Sequence, residues 1–163
     1  MKKLILVCLL LIVVLIFNGC LMAPAQLDIV DTAIQNGGFT TLVTALTEAN
    51  LVDTLRGAGP FTVFAPDDAA FAKIDATTLN NLIADVPNLT KVLLFHVVSG
   101  KLMAADVVGE TELTSVEGSA LAIVVVDSTV TIDVATVTST DIECSNGVIH
   151  VIDTVMIPPT VAL

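Results

Sequence analysis

The sequence predicts an α+β domain, and three observations carry that prediction. Apolar positions recur at helical spacing from Asp28 to about Val108. From Glu112 onward the composition turns to alternating Val, Thr and Ile, the pattern of half-buried strands. Near its end the chain reads Ser145-Asn146-Gly147-Val148-Ile149-His150-Val151-Ile152-Asp153, a turn dipeptide opening into a β-branched run. Helices followed by strands place short helices on one side of a mostly antiparallel sheet.

The chain opens with Lys2 and Lys3, an unbroken apolar run from Leu4 to Phe17, and then Asn18-Gly19-Cys20. That is the pattern of an export leader, and the run is short of the roughly 20 residues a membrane-spanning helix needs. Residues 1–20 are therefore expected to be a signal peptide, 21–27 a linker, 28–159 one domain and 160–163 a tail. Gly19-Cys20 looks like a lipoprotein cleavage box in which Cys20 becomes the lipidated first residue. Ala23-Pro24-Ala25 offers a competing cleavage site, and an uncleaved anchor is a third reading.

Within the domain, Ile29, Ala33 and Ile34 mark a first helix, and Leu42, Val43, Leu46 and Ala49 a second. Asn36-Gly37-Gly38 ends the first, and Arg56-Gly57-Ala58-Gly59-Pro60 closes the helical opening. Phe61 to Ala65 reads as a short strand running into a helix capped by Asp67, with Asp68 near the positive end of its dipole. Leu79, Leu82, Ile83 and Val86 mark a further helix, and Pro87-Asn88 is expected to separate it from the next. Strands are expected over Thr129–Val134 and Val137–Ile142, with turns at Glu117-Gly118-Ser119 and Asp127-Ser128. Asn146 and Gly147 are expected to form a two-residue hairpin turn with positive φ angles. No internal repeat is present.

The formal charge is −11. Two of the 6 basic residues and none of the 17 acidic ones lie in the leader, so the exported part carries 4 against 17, or −13. Such a surface repels phosphate backbones, which excludes nucleic acid as a partner and reads most simply as solubility. Cys8 and Cys20 belong to the leader, leaving Cys144 without an internal disulfide partner and expected to be an inert buried thiol. His96 and His150 each sit in an apolar stretch. Either one could act as a general base with Asp153 or Ser145, but no nucleophile occupies a strained turn, so both are expected to be buried imidazoles bonded to backbone. No His or Cys pair has ligand spacing, no phosphate loop occurs, and Trp and Tyr are absent. No catalytic residue, metal or cofactor is expected.

Three blocks, taken together, resemble the fasciclin-like domain family. The closing block runs unbroken from Asn146 to Asp153. An opening block spans Gly59 to Phe71, with Asp67 where the family usually has Thr. A central block, Leu93 to Gly100, carries Phe95 in place of a Tyr. The resemblance covers about residues 28 to 159 and implies a β-wedge packed against a bundle of short helices. Its signature positions here are Phe61, Thr62, Phe64, Pro66, Asp67, Phe71, His96, Asn146, Gly147, His150 and Asp153, with the histidines structural. It also implies non-catalytic adhesion outside the cytoplasm, to a surface or matrix protein or polysaccharide, while the leader, through Cys20, is what would tie the protein to the membrane. Asp141 with Ile142, and Phe95 with His96, stand at the family's partner-contact positions. The alternative is an extracytoplasmic binding protein for a small hydrophobic ligand, motivated by a composition that is 55% hydrophobic.

Overall fold

The computed structural model describes residues 26–161; Cys20, with every prediction made for the leader, lies outside them. Helix α1, Ile29–Asn36, begins where the extended Asp28 turns its carboxylate back to accept the Asp31 N–H at 2.8 Å, and it stops where Gly37 takes a left-handed φ of 72°. Ile29, Val30 and Ala33 are buried, whereas Ile34, expected in the core, is 53% exposed. Helix α2, Thr40–Glu48, has no side-chain cap from its own N-cap residue, Phe39. Asp68 supplies one from elsewhere, accepting the N–H groups of Thr40 at 3.2 Å and Thr41 at 2.8 Å. After the single turn α3, Val52–Leu55, and the first strand, helix α4, Asp68–Ala72, starts at Asp67, whose carboxylate accepts the Ala70 N–H at 2.7 Å.

Helix α5, Ala76–Ala84, is capped by Asp75, and α6, Val86–Phe95, by Asp85. The boundary between them is therefore Asp85, and Pro87 lies within the first turn of α6 rather than separating two helices. At that position the missing N–H has no partner to lose.

Among the described residues, seven strands form one sheet: β1 (Phe61–Pro66), β2 (Val97–Ser99), β3 (Glu112–Thr114), β4 (Ala120–Val126), β5 (Thr129–Ile132), β6 (Ala135–Cys144) and β7 (Gly147–Ile152), in the order β2-β1-β7-β6-β5-β4-β3. Every junction is antiparallel except β1 with β7, which run parallel from Phe61↔Gly147 to Pro66↔Ile152. Strand β5 ends at Ile132, short of Val134, because Asp133 turns the chain with a φ of 54°. The two end strands meet: Val98 bridges Ser115, and the Val116 N–H donates to the Val97 carbonyl at 2.7 Å. The sheet thus curls round until its edges cover each other. Helix α7, Ala104–Gly109, connects them.

Alternation along β1 and β7 divides the apolar residues between two cores. Val63, Ala65 and Ile149 face the helices and pack with Ile29, Leu42, Leu46, Leu89 and Leu93. Phe64 and Ile152 face the interior of the curled sheet and pack with Phe95, Leu121, Ile132 and Met156.

Candidate functional site

Cys144 pairs with Gly147 across the β6–β7 hairpin, so its loop is Ser145-Asn146, and neither Asn146 nor Gly147 has a positive φ. The expectation of a left-handed Asn-Gly turn is corrected. That geometry belongs to the β4–β5 hairpin, at Asp127 (φ 47°) and Ser128 (φ 72°). Asn146 and Gly147 answer longer-range demands. The Asn146 side chain accepts the Ile29 N–H at 3.0 Å and donates to the carbonyls of Leu55 at 2.6 Å and Gly57 at 3.1 Å, joining the start of α1 to the end of α3. Its own carbonyl accepts the Phe61 N–H at 3.1 Å. A Cβ on Gly147 would collide with the Phe61 carbonyl oxygen, and one on Gly59 with that of Asn146. The two glycines allow the backbones of β1 and β7 to meet.

His96 is 2% exposed. Its Nδ1–H donates to the Val92 carbonyl at 2.7 Å, and Nε2 accepts the Met156 N–H at 3.0 Å, which fixes the neutral tautomer. Burial pushes its pKa down to about 4, with the Val92 bond opposing. His150 is likewise buried; its Nε2–H donates to the Leu102 carbonyl at 2.9 Å, Nδ1 accepts the Asp141 N–H at 3.4 Å, and its ring stacks on Phe64. Asp153 serves neither ring. Its carboxylate accepts the Thr136 N–H at 2.9 Å, the Thr154 hydroxyl at 3.0 Å and Lys73 at 3.1 Å, and these bonds, the Thr136 one foremost, hold its pKa below the usual range.

The remaining signature side chains are also committed. The Thr62 hydroxyl, fully buried, donates to the Gly100 carbonyl at 2.7 Å and accepts the Leu102 N–H at 2.9 Å. Phe64, Pro66 and Phe71 are buried, and the half-buried Phe61 packs on the helical core. Burial pushes the Cys144 thiol pKa up, away from thiolate chemistry. In the sequon Asn88-Leu89-Thr90, the amide of Asn88 donates to Asp85 at 2.8 Å.

The four partner-contact candidates do not form one surface. Phe95 and His96 are 1% and 2% exposed and present nothing to a partner, which corrects that expectation. Asp141 is exposed, but it sits in an irregular stretch of β6 with a φ of 58°, and its Oδ1 accepts the Ala104 N–H at 2.8 Å where α7 begins. Ile142 is half-buried against the helical core.

Between α1 and α2 lies a cleft of about 200 Å³ lined by Ala33, Ile34, Phe39 and Val43, with Gly37, Thr40 and Thr44. Among the described residues no group of three or more His, Cys, Asp or Glu is placed to hold a metal ion, and no helix is long and apolar enough to cross a membrane.

A mostly antiparallel sheet curled on itself, a helical layer on one face and two buried histidines bonded to backbone define an α+β domain of the wedge-and-bundle class. A fasciclin domain model matches residues 37–158, and the chain belongs to that family. It is 49% identical over 132 residues to the uncharacterized protein sll1735 of Synechocystis, covering 80% of this chain and 97% of that one. It is 34% identical to the immunogenic protein MPB70 of Mycobacterium bovis, covering 83% and 71%. It is 32% identical to the cell surface glycolipoprotein MPB83 of the same species, covering 86% and 65%. Its fold matches a FAS1 domain pair from the insect cell adhesion molecule fasciclin I, with a TM-score of 0.60 at 20% identity. The match covers 77% of this chain and 47% of that one.

Proposed function

We propose that the protein is a non-catalytic adhesion module, exported and held at the cell surface by a lipid on Cys20. One observation carries the non-catalytic part: among the described residues no buried side-chain nitrogen or oxygen lacks a hydrogen-bond partner. Both imidazoles, the buried threonine and the asparagine are used up in holding the fold, so action is left to the outer surface. The leader ending in Gly19-Cys20 supports the anchor, as does likeness to a cell surface glycolipoprotein. Binding of the purified protein to intact cells or surface extracts of its own organism tests adhesion, and no binding overturns it. Fractionation tests the anchor: Cys20→Ser is expected to move the protein from membrane to soluble fractions, and an unchanged distribution counts against lipidation.

A carrier role for a small hydrophobic ligand is a second reading, favoured by the apolar cleft between α1 and α2. At about 200 Å³ it falls below the ~300–1,000 Å³ common for ligand pockets. Native mass spectrometry of the protein as purified distinguishes the two, since a carrier retains a hydrophobe of fixed mass.

A further inference from the structure

The β4–β5 hairpin leaves an apolar face uncovered. Val124, Val125 and Val126 are 50%, 41% and 59% exposed. Leu121 and Ile123 point into the sheet interior, so Ala122, Val124 and Val126 line the outer side of β4. Ser119 to Val126 contains no charged residue. Strand β3 accompanies β4 only as far as Ala122, and the Thr111 carbonyl takes the Ile123 N–H. Val124 to Val126 therefore have a strand neighbour on the β5 side alone. Apolar, β-branched and open on one edge, this stretch has what an added strand requires.

The surrounding charge decides what such a strand can be. From Leu102 to the end of the sequence there is no Lys or Arg, against nine Asp and Glu. Asp127 and Asp133 stand at the turns on either end of β5, and Glu112 pairs with Ala122. A second copy would bring the same carboxylates to this rim, and an anionic lipid or nucleic acid would bring more negative charge. We propose that the β4–β5 hairpin is a strand-addition surface for an extended partner segment with an apolar centre flanked by Lys or Arg. The centre continues the Val124–Val126 face, and the cations meet the carboxylate rim. This rests on the adhesion reading and names the chemistry of the partner.

The test uses the exported protein as isolated from its host and a blocked peptide, Lys-Lys-Val-Thr-Val-Thr-Val-Lys-Lys. Comparison peptides carry Glu in place of Lys, or N-methyl groups on alternate backbone nitrogens, which remove the donors that strand pairing uses. The basic peptide is expected to bind, more weakly as salt rises. The acidic and N-methylated peptides are expected not to bind. Val124→Thr with Val126→Thr keeps strand propensity and is expected to weaken binding at least about tenfold by removing two apolar methyl contacts. No binding of the basic peptide, or equal binding of the N-methylated one, overturns the proposal without any variant. Retained affinity in the double variant overturns it too. Loss in that variant of binding to phosphatidylcholine vesicles, or of a concentration-dependent dimer, would assign the face to a lipid surface or a second copy instead. Cell binding by the unmodified protein decides adhesion separately. If cells are bound equally by the double variant, the hairpin is not the contact while adhesion stands.

Discussion

Asn146 and His96 illustrate how single side chains hold distant segments together. Asn146 uses one acceptor and both donors on groups from α1, α3 and the turn after it. Asn146→Ala is expected to cost about 2 kcal/mol or more in urea unfolding, because buried backbone groups lose their partners. Asn146→Asp is expected to cost more than Ala, since a carboxylate would face the carbonyls of Leu55 and Gly57. A mere turn residue would show the reverse order, Asp being the better turn former. His96 has a pH signature. Its folded pKa, about 4, lies below its unfolded value near 6.5, so the unfolded chain binds the extra proton. The stability this group contributes is complete above the unfolded pKa and is lost as pH falls from about 6.5 through about 4, by up to about 3 kcal/mol. His96→Ala is expected to lower stability at neutral pH and to flatten that slope in denaturation curves across the window. The fully apolar setting of His96 was legible in its neighbours Phe95 and Val97. The role of Asn146 was not, because the pattern Asn-Gly reports local turn preference, while its partner Ile29 lies 117 residues away.

At the scale of elements, Asp67 and Asp68 divide their work. Asp67 starts its own helix, and Asp68 starts a helix that precedes it in the chain, since α2 offers no cap from Phe39. Burial opposes ionisation of Asp68, but the bonds from Thr41 and Thr40 outweigh it and lower its pKa. Asp68→Ala is expected to destabilise by about 1 kcal/mol, with faster amide exchange concentrated in the first turn of α2; an effect confined to α4 would contradict this. The longer helices could be read from spacing because each contains enough residues to show a period, and the β4–β5 turn from the turn-forming pair Asp127-Ser128. Strand β2 has three residues and α7 six, too few to reveal one, and Ile34 fits the helical stripe yet faces outward beside the cleft. Of the candidate contact pairs, Phe95-His96 fell on a buried helix end because a family position says nothing of local exposure.

For the whole molecule, charge is the dominant surface property. Of the basic residues in the domain, Arg56, Lys73 and Lys101 already pair with carboxylates, leaving a large excess of negative charge unscreened. Added salt is therefore expected to raise the thermal midpoint by screening repulsion, and a fall would mean that the ion pairs dominate. The α+β class could be read from apolar spacing in the first half and the change to alternating Val, Thr and Ile in the second. The parallel pairing of β1 with β7 could not, since no local pattern joins Phe61 to Gly147.

That pairing also orders events in time. Strand β1 has β2 on one side and β7 on the other, so the centre of the sheet is incomplete until the residues from Gly147 to Ile152 arrive. A chain emerging from its N-terminus carries its helices and most of its strands before it can close either core, and long-range pairing of this kind forms slowly. Nearly the whole polypeptide can thus be threaded through a narrow passage while still unfolded, and the last strand to emerge completes the fold.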